Sequence, residues 1–243
     1  MTGSVSGIGL AIAKELAQRG IKIALNDIHD PDSSLAKEAF SVLERNEEAA
    51  RYYPCDITNY SNVKQMVDRI VEDFGQLDIL VNNAGILGKM LPITELSIDD
   101  WNAVINVDLT GTFLVTKAVV PHMIKANFGR IINMSSIAGK EGNPNQTPYA
   151  AAKSGILGLT RALAKELAGY DIRVNAVCPA LIKTSMVGGI PSEQREHLLS
   201  LIPVGRFGEV EEVADLVCFL ALSRAANFIT GQAFNITGGR ADY

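Results

Sequence analysis

The sequence predicts an α/β fold, a doubly wound parallel sheet covered by helices on both faces, and three observations point there. Residues 21–26, 78–82, 130–135 and 172–178 are short, nearly unbroken apolar runs rich in β-branched residues. Such runs lack the polar alternation of a sheet with one wet face and suit strands buried on both sides. Segments of helical period separate them, and strand–helix–strand repetition gives right-handed crossovers. The chain has 243 residues, 47% of them apolar, and no linker, repeat or charge block, so residues 1–243 are expected to form a single domain.

The elements follow in order. Thr2-Gly3-Ser4-Val5-Ser6-Gly7-Ile8-Gly9 opens a helix that runs on through Leu16. Gly3 suits a tight turn, Gly7 lets a diphosphate approach the backbone, and Gly9 lets the helix lie close to the sheet. With Ser6 and Ile8 they place free N–H groups at a helix N-terminus, where an anion is welcome. The next strand ends at Asp27, 18 residues after Gly9. A carboxylate there accepts bonds from a ribose diol and repels a 2′-phosphate, which favours NAD over NADP. Taken singly, the turn reads equally as a plain glycine-rich loop and Asp27 as a solvated one.

Val63, Met66, Val67, Ile70, Val71 and Phe74 then fall on one helical stripe, opened by Asn59 or Ser61 as N-cap and closed by Gly75. The strand at 78–82 runs into Asn82-Asn83-Ala84-Gly85; helices at 101–127 and 148–167 flank the strand at 130–135. Residues 186–208 hold Gly188, Gly189, Pro191, Pro203 and Gly205 and read as a mobile substrate lid with a short helix near 192–201. A helix at 209–222 and a last strand complete the chain.

Composition excludes several classes. With 22 Lys+Arg against 27 Asp+Glu, the net charge of −5 argues against a nucleic-acid binder. Cys55, Cys178 and Cys218 are odd in number and lack metal-ligand spacing, and the three histidines are scattered, so no metal site is expected and a reducing compartment fits. No uninterrupted apolar run reaches the roughly 18 residues of a membrane span. The chain enters the glycine-rich turn at once, without a secretory signal, so a cytoplasmic location is expected.

The chemistry lies in Ser136, Tyr149 and Lys153. Tyr149 and Lys153 are four residues apart in Tyr149-Ala150-Ala151-Ala152-Lys153 and share one helical face. An ammonium beside a phenol favours the phenolate, and a tyrosine so tuned can exchange a proton with an alcohol near neutral pH. Alone, such a pair is ordinary helix surface. Together with the N-terminal turn, Asn82-Asn83-Ala84-Gly85, and Ser136 thirteen residues before Tyr149, it is specific.

Over nearly its whole length the chain resembles the short-chain dehydrogenases/reductases, through residues 2–9, 82–85, 133–139, 149–153 and 178–184. The resemblance implies a Rossmann-like fold and an NAD-dependent oxidoreductase interconverting a secondary alcohol and a ketone. It makes Tyr149 the general acid/base and gives Ser136 the substrate oxygen. Lys153 would lower the tyrosine pKa and bond the nicotinamide ribose. Asp56, with Ile57, would face the adenine, and Asn82, Ala84 and Gly85 would floor the cofactor site. Pro179, Ile182 and Thr184 would meet the carboxamide side.

Three positions depart from the family pattern. Only Met1 precedes Thr2, where the family has a strand in mid-sheet; without it two inner strands would lack ladder partners, so a start further upstream is expected. Asp108 stands where the family has an asparagine that holds a relay water, and as an anion it would bias Lys153 toward its charged state. Asn106, about 200° away around an α-helix, cannot substitute. Ala180 follows Pro179 in place of the usual glycine.

The loops at 86–91, 137–146 and 186–208 would set specificity. Lys89, Lys140, Asn143, Asn145 and Gln146 suggest a small polar substrate such as a sugar, sugar acid or polyol, or else are solvated loop tips. A 3-oxoacyl-carrier-protein reductase is a second reading, for which Lys125 and Arg130 offer a thin basic docking face. A non-catalytic dinucleotide-binding protein is a third. The resemblance also suggests a homotetramer or homodimer, with Val104, Leu114, Ala118, Ala151, Ile156 and Leu159 facing either a partner or the sheet.

Overall fold

The structure, a computed structural model, describes residues 1–43, 50–184 and 192–241. In chain order the elements are α1 (Gly7–Gln18), β1 (Ile23–Asp27), α2 (Ser34–Leu43), β2 (Ala50–Pro54), α3 (Tyr60–Phe74), β3 (Ile79–Asn82), α4 (Ile98–Val104), a π-helical segment (Ile105–Gly111) and α5 (Thr112–Ala126). They continue with β4 (Gly129–Met134), α6 (Ala138–Glu141), α7 (Thr147–Glu166), β5 (Ile172–Pro179), α8 (Ser192–Ser200), α9 (Val210–Leu222), a 3-10 turn (Arg224–Phe228) and β6 (Ala233–Ile236). All strand pairs are parallel: β1 with β2, and β3, β4, β5 and β6 in that order.

The apolar runs are continuous because neighbouring residues feed opposite faces. Ile132 and Val177 pack with Ile12 and Leu16 of α1 and Val213 and Val217 of α9. Ile131 and Val174, one and three residues away on the same two strands and so on the opposite face, pack with Val63 and Val67 of α3 and Val119 of α5. Helix α3 matches the expected stripe, burying Val63, Met66, Val67 and Ile70. Its N-cap is Asn59, whose side chain accepts the Asn62 N–H, and Gly75 closes it at φ 80°.

The expected gap in the sheet is real, though part of it is bridged. Met1 to Ser4 run between β1 and β3: Asn26 N–H donates to the Met1 carbonyl at 2.9 Å, Ser4 N–H to the Asn26 carbonyl at 3.2 Å, and Thr2 N–H to the Val81 carbonyl at 3.1 Å. The C-terminal ends of both strands, which carry the site, are thereby tied together. Their N-terminal halves face an apolar cavity of about 620 Å³ lined by Ile23, Ile79, Met66, Ile70 and Phe74 among others.

Two further differences from the sequence reading have local causes. Strand β2 was not expected, because Arg51 and Pro54 interrupt its pattern; both are exposed on an edge strand, where neither is costly. The expected helix at 101–127 starts at Ile98, capped by Ser97, ends at Asn127 with φ 50°, and widens to π geometry around Asp108. The stretch Ile98–Ala126 has the length and apolarity of a membrane-spanning helix. Its buried residues Val104, Val115, Val119 and Met123 identify a core helix. Helix α8 lies where a short helix was expected near 192–201, while residues 186–191 of the segment read as a lid lie outside the described residues.

Of the residues weighed for a subunit contact, Val104, Ala118 and Ile156 are buried inside this chain and face its own core. Leu114, Ala151 and Leu159 keep partial exposure.

Candidate active site

The glycine-rich turn is built for close backbone approach. Gly3 and Gly7 hold φ of 60° and 53°, the left-handed region that favours glycine. A Cβ on Gly9 would lie 2.0 Å from the Gly3 carbonyl, so the turn closes onto its own helix. Ser6 is the N-cap of α1 but makes no side-chain cap bond, so the first-turn N–H groups around Gly7 and Ile8 suit an anion. Thr184 reaches this turn, 3.5 Å from where a Gly7 Cβ would stand.

Two residues missed by sequence reading hold the turn in place. The Thr2 hydroxyl accepts from the N–H groups of Asn83 and Ala84 at 3.0 and 3.1 Å, and the Asn83 amide donates to the Gly3 carbonyl at 2.7 Å. The signal for each was its place in a motif, Asn83 in Asn82–Gly85 and Thr2 at the head of the glycine-rich turn, but neither motif told what the side chain would bond. Asn82 turns inward: its side-chain amide donates to Asn133 and Thr116, and Asn133 donates to Thr160. That buried polar chain locks β3, β4, α5 and α7 together.

At the end of β1, Asp27 Oδ1 accepts the Ile28 N–H at 2.8 Å and lies 2.6 Å from His29 Nδ1. Its Oδ2 accepts the Val5 N–H at 3.4 Å. Asp56 Oδ1 is engaged by the Thr58 backbone and hydroxyl, which makes a tight turn, and the Ile57 side chain is buried. Asp56 itself stays exposed, with its Oδ2 outside that turn. Pro179 accepts the Ile137 N–H, and Ile182 is buried and bridged to Gly208.

The two serines after β4 separate cleanly. Ser135 spends its hydroxyl on the Lys153 carbonyl at 2.8 Å, whereas the Ser136 oxygen accepts the Ala138 N–H at 3.1 Å and keeps its proton to donate. Lys153 is 4% exposed and Asp108 fully buried. The lysine ammonium donates to the Met134 carbonyl at 3.1 Å, sits 3.1 Å from Asp108 Oδ2, and lies 5.5 Å from the centre of the Tyr149 ring. Asp108 Oδ1 accepts the Ile86 N–H at 2.8 Å. Gly85 is obligatory beneath this group, since a Cβ there would stand 2.7 Å from Asp108 Oδ2 and 3.1 Å from Lys153 Nζ.

Burial pushes the Lys153 ammonium toward losing its proton, but the Asp108 and Tyr149 charges outweigh it and hold the lysine pKa above its ordinary value. The expected bias of Lys153 toward its cation thus has a direct geometric cause. The carboxylate touches the ammonium itself.

The loops at 86–91 and 137–146, expected to set specificity, meet, the Leu91 N–H donating to the Asn145 carbonyl at 3.1 Å. Several of their polar groups are spent on structure. Lys89 pairs with Asp100 at 3.0 Å, and Asn143 bonds both Gln146 and Arg240.

Comparison with known proteins bears on these geometries. A family model described as enoyl-(acyl carrier protein) reductase matches residues 3–241. A 3-oxoacyl-[acyl-carrier-protein] reductase of Thermotoga maritima is 45% identical, over 98% of this chain and 95% of the relative. The 2-dehydro-3-deoxy-L-rhamnonate dehydrogenase (NAD(+)) of a Sphingomonas species is 35% identical, over 100% of this chain and 94% of its own. The crystal structure of levodione reductase superposes with a TM-score of 0.93 at 33% identity, covering 100% of this chain and 96% of that one.

Proposed function

The chain belongs to the short-chain dehydrogenase/reductase family of oxidoreductases that act on CH–OH groups with NAD(P), and we propose that it interconverts a secondary alcohol and a ketone, with NAD, on a small polar substrate. The observation that carries this reading is the buried Asp108–Lys153 pair set against the Tyr149 ring.

The residues fit the cofactor. The open first turn of α1 suits a diphosphate, and Asp27 offers Oδ2 to a ribose diol. When bound, the nicotinamide takes up or gives back a hydride. The protein's share is the proton: Tyr149 exchanges it with the substrate oxygen while Ser136 donates a hydrogen bond to that oxygen. Lys153, kept cationic by Asp108, stands as a positive charge beside the Tyr149 ring. We place the protein in the cytoplasm as a homo-oligomer acting on a free small molecule, in keeping with its composition and its resemblance.

A panel of alcohols and ketones followed by absorbance of the reduced nicotinamide, with NAD and with NADP, tests the reading. Turnover of a hydroxylated or acidic alcohol with NAD is expected, and Tyr149→Phe should lose about 100-fold or more. No turnover across the panel, or an unaffected Tyr149→Phe, would defeat it.

The 45% identical Thermotoga relative favours a second reading, reduction of a β-ketoacyl thioester. Against carrier docking, Arg130 is only 4% exposed, its guanidinium bonded to the Gly129 and Asp171 carbonyls and to Asn227. Preferential turnover of a short β-ketoacyl thioester with NADPH would select this alternative.

A further inference from the structure

We propose that His29 is a specificity-determining residue for the cofactor, its imidazole making the choice between a plain and a 2′-phosphorylated adenine dinucleotide depend on pH near neutrality. The proposal rests on reading Asp27 as the ribose-facing carboxylate.

The geometry is local and fixed. His29 Nδ1 lies 2.6 Å from Asp27 Oδ1, with the imidazole side chain 42% exposed and the carboxylate 12%. The His29 backbone is pinned from β2, where the Tyr52 hydroxyl donates to the His29 carbonyl at 2.6 Å. Tyr52 is itself braced edge-on against Phe40 of α2. The imidazole is therefore held over the carboxylate that sets dinucleotide preference.

The charged and titratable groups around this corner come from several elements. Asp27 ends β1, the loop after it carries Asp30 and Asp32, and α2 contributes Lys37, paired with Asp32 at 3.1 Å. From β2 comes Tyr52, whose phenol is pushed up to about 12 by burial and by Asp27 and Asp30, so it stays protonated. The glycine-rich turn contributes only the Val5 N–H facing Asp27. Carboxylates and ammonium groups keep their charge across neutral pH, whereas an imidazole changes its own between about pH 5 and 8.

With a neutral imidazole the corner is strongly negative and repels a 2′-phosphate. A protonated imidazole cancels part of that charge, occupies Asp27 Oδ1 with a charge-assisted bond, and presents a cation where the phosphate would lie. Protonation therefore weakens the grip on a free ribose hydroxyl and eases entry of a phosphorylated one. The two effects move the affinity ratio in the same direction.

Calorimetric titration of the protein with NADH and with NADPH, at about pH 8 and about pH 5.8, tests this without requiring turnover. The ratio of NADPH to NADH dissociation constants should fall by about fivefold or more on acidification at low salt, and by less as salt screens the corner. A 2′-phosphate also takes up a proton near pH 6 and changes the ratio by itself. His29→Gln isolates that contribution, and should show a clearly smaller shift than the native chain. A ratio with the same pH dependence in both proteins would overturn the role of His29 while leaving the dinucleotide site intact. Failure to bind either dinucleotide at either pH would overturn the site reading and the proposal with it.

Discussion

Asp108 and Asp27 each stand against a basic side chain, Lys153 at 3.1 Å and His29 at 2.6 Å, yet one pair is sealed and the other open. Asp108 and Lys153 are almost wholly excluded from solvent, and each has a further backbone bond, to Ile86 and to Met134. Removing either charge strands the other in a medium that cannot solvate it. Asp27 and His29 sit at the rim, where water compensates a lost partner and screening keeps the pair weak. The same kind of pairing therefore differs in its setting: the sealed pair holds Lys153 as a cation, and the open pair stays in contact with water.

The largest expected contrast is in stability. Asp108→Leu should cost about 3–5 kcal/mol in urea unfolding, because it leaves the Lys153 ammonium buried and unpaired and removes the acceptor for Ile86. A loss below about 1 kcal/mol, the range of exposed pairs, would erase the distinction between the two sites.

Asp108→Asn sharpens the comparison by keeping the shape and deleting the charge. Desolvation is the leading influence on Lys153 and pulls its pKa down, and Asp108 is the main force opposing it. In the native chain the raised folded value contributes stability that is fully present below the unfolded value of 10.5 and is lost as pH rises through the folded one. In Asp108→Asn the buried cation is a burden at neutral pH that eases as the lysine gives up its proton. The stability gap between the two proteins should accordingly narrow as pH rises from about 7 toward 10.5. The alkaline limb of the pH–rate profile should also move down by about one unit. A constant gap with an unmoved limb would reduce Asp108 to a shape-filling residue.

The smallest stability effect belongs to Asp27→Asn, expected at about 1 kcal/mol or less, with its consequence visible instead as a loss of preference for the unphosphorylated dinucleotide. A destabilisation as large as that of Asp108→Leu would mean that the rim carboxylate is structural after all.

Much of this architecture was legible because it is written in short-range pattern. The stripe from Val63 to Phe74 with Asn59 and Gly75 at its ends, and the four-residue step from Tyr149 to Lys153, follow from helix geometry alone. Counting back from Tyr149 put Ser136 in the serine position, and the hydroxyl of Ser135 is indeed spent on the helix backbone. Strand β2 escaped because an edge strand tolerates Arg51 and Pro54, which erase the apolar signal. The roles of Thr2 and of His29 escaped because a threonine beside a turn and a histidine in a loop carry no periodicity.

What the sequence determined by itself is the alternation of strands and helices, the glycine-rich turn, and the presence of serine, tyrosine and lysine at set intervals, since each depends on neighbours within a few residues. Only the tertiary structure decided that Asp108 meets Lys153 across 45 residues, that Gly85 must be bare to admit them, and that Met1 to Ser4 bridge two strands that otherwise face a cavity. Those outcomes depend on which elements pack together and how far water is excluded between them. Burial, not spacing, decides whether an aspartate beside a basic side chain is sealed from water or left open to it.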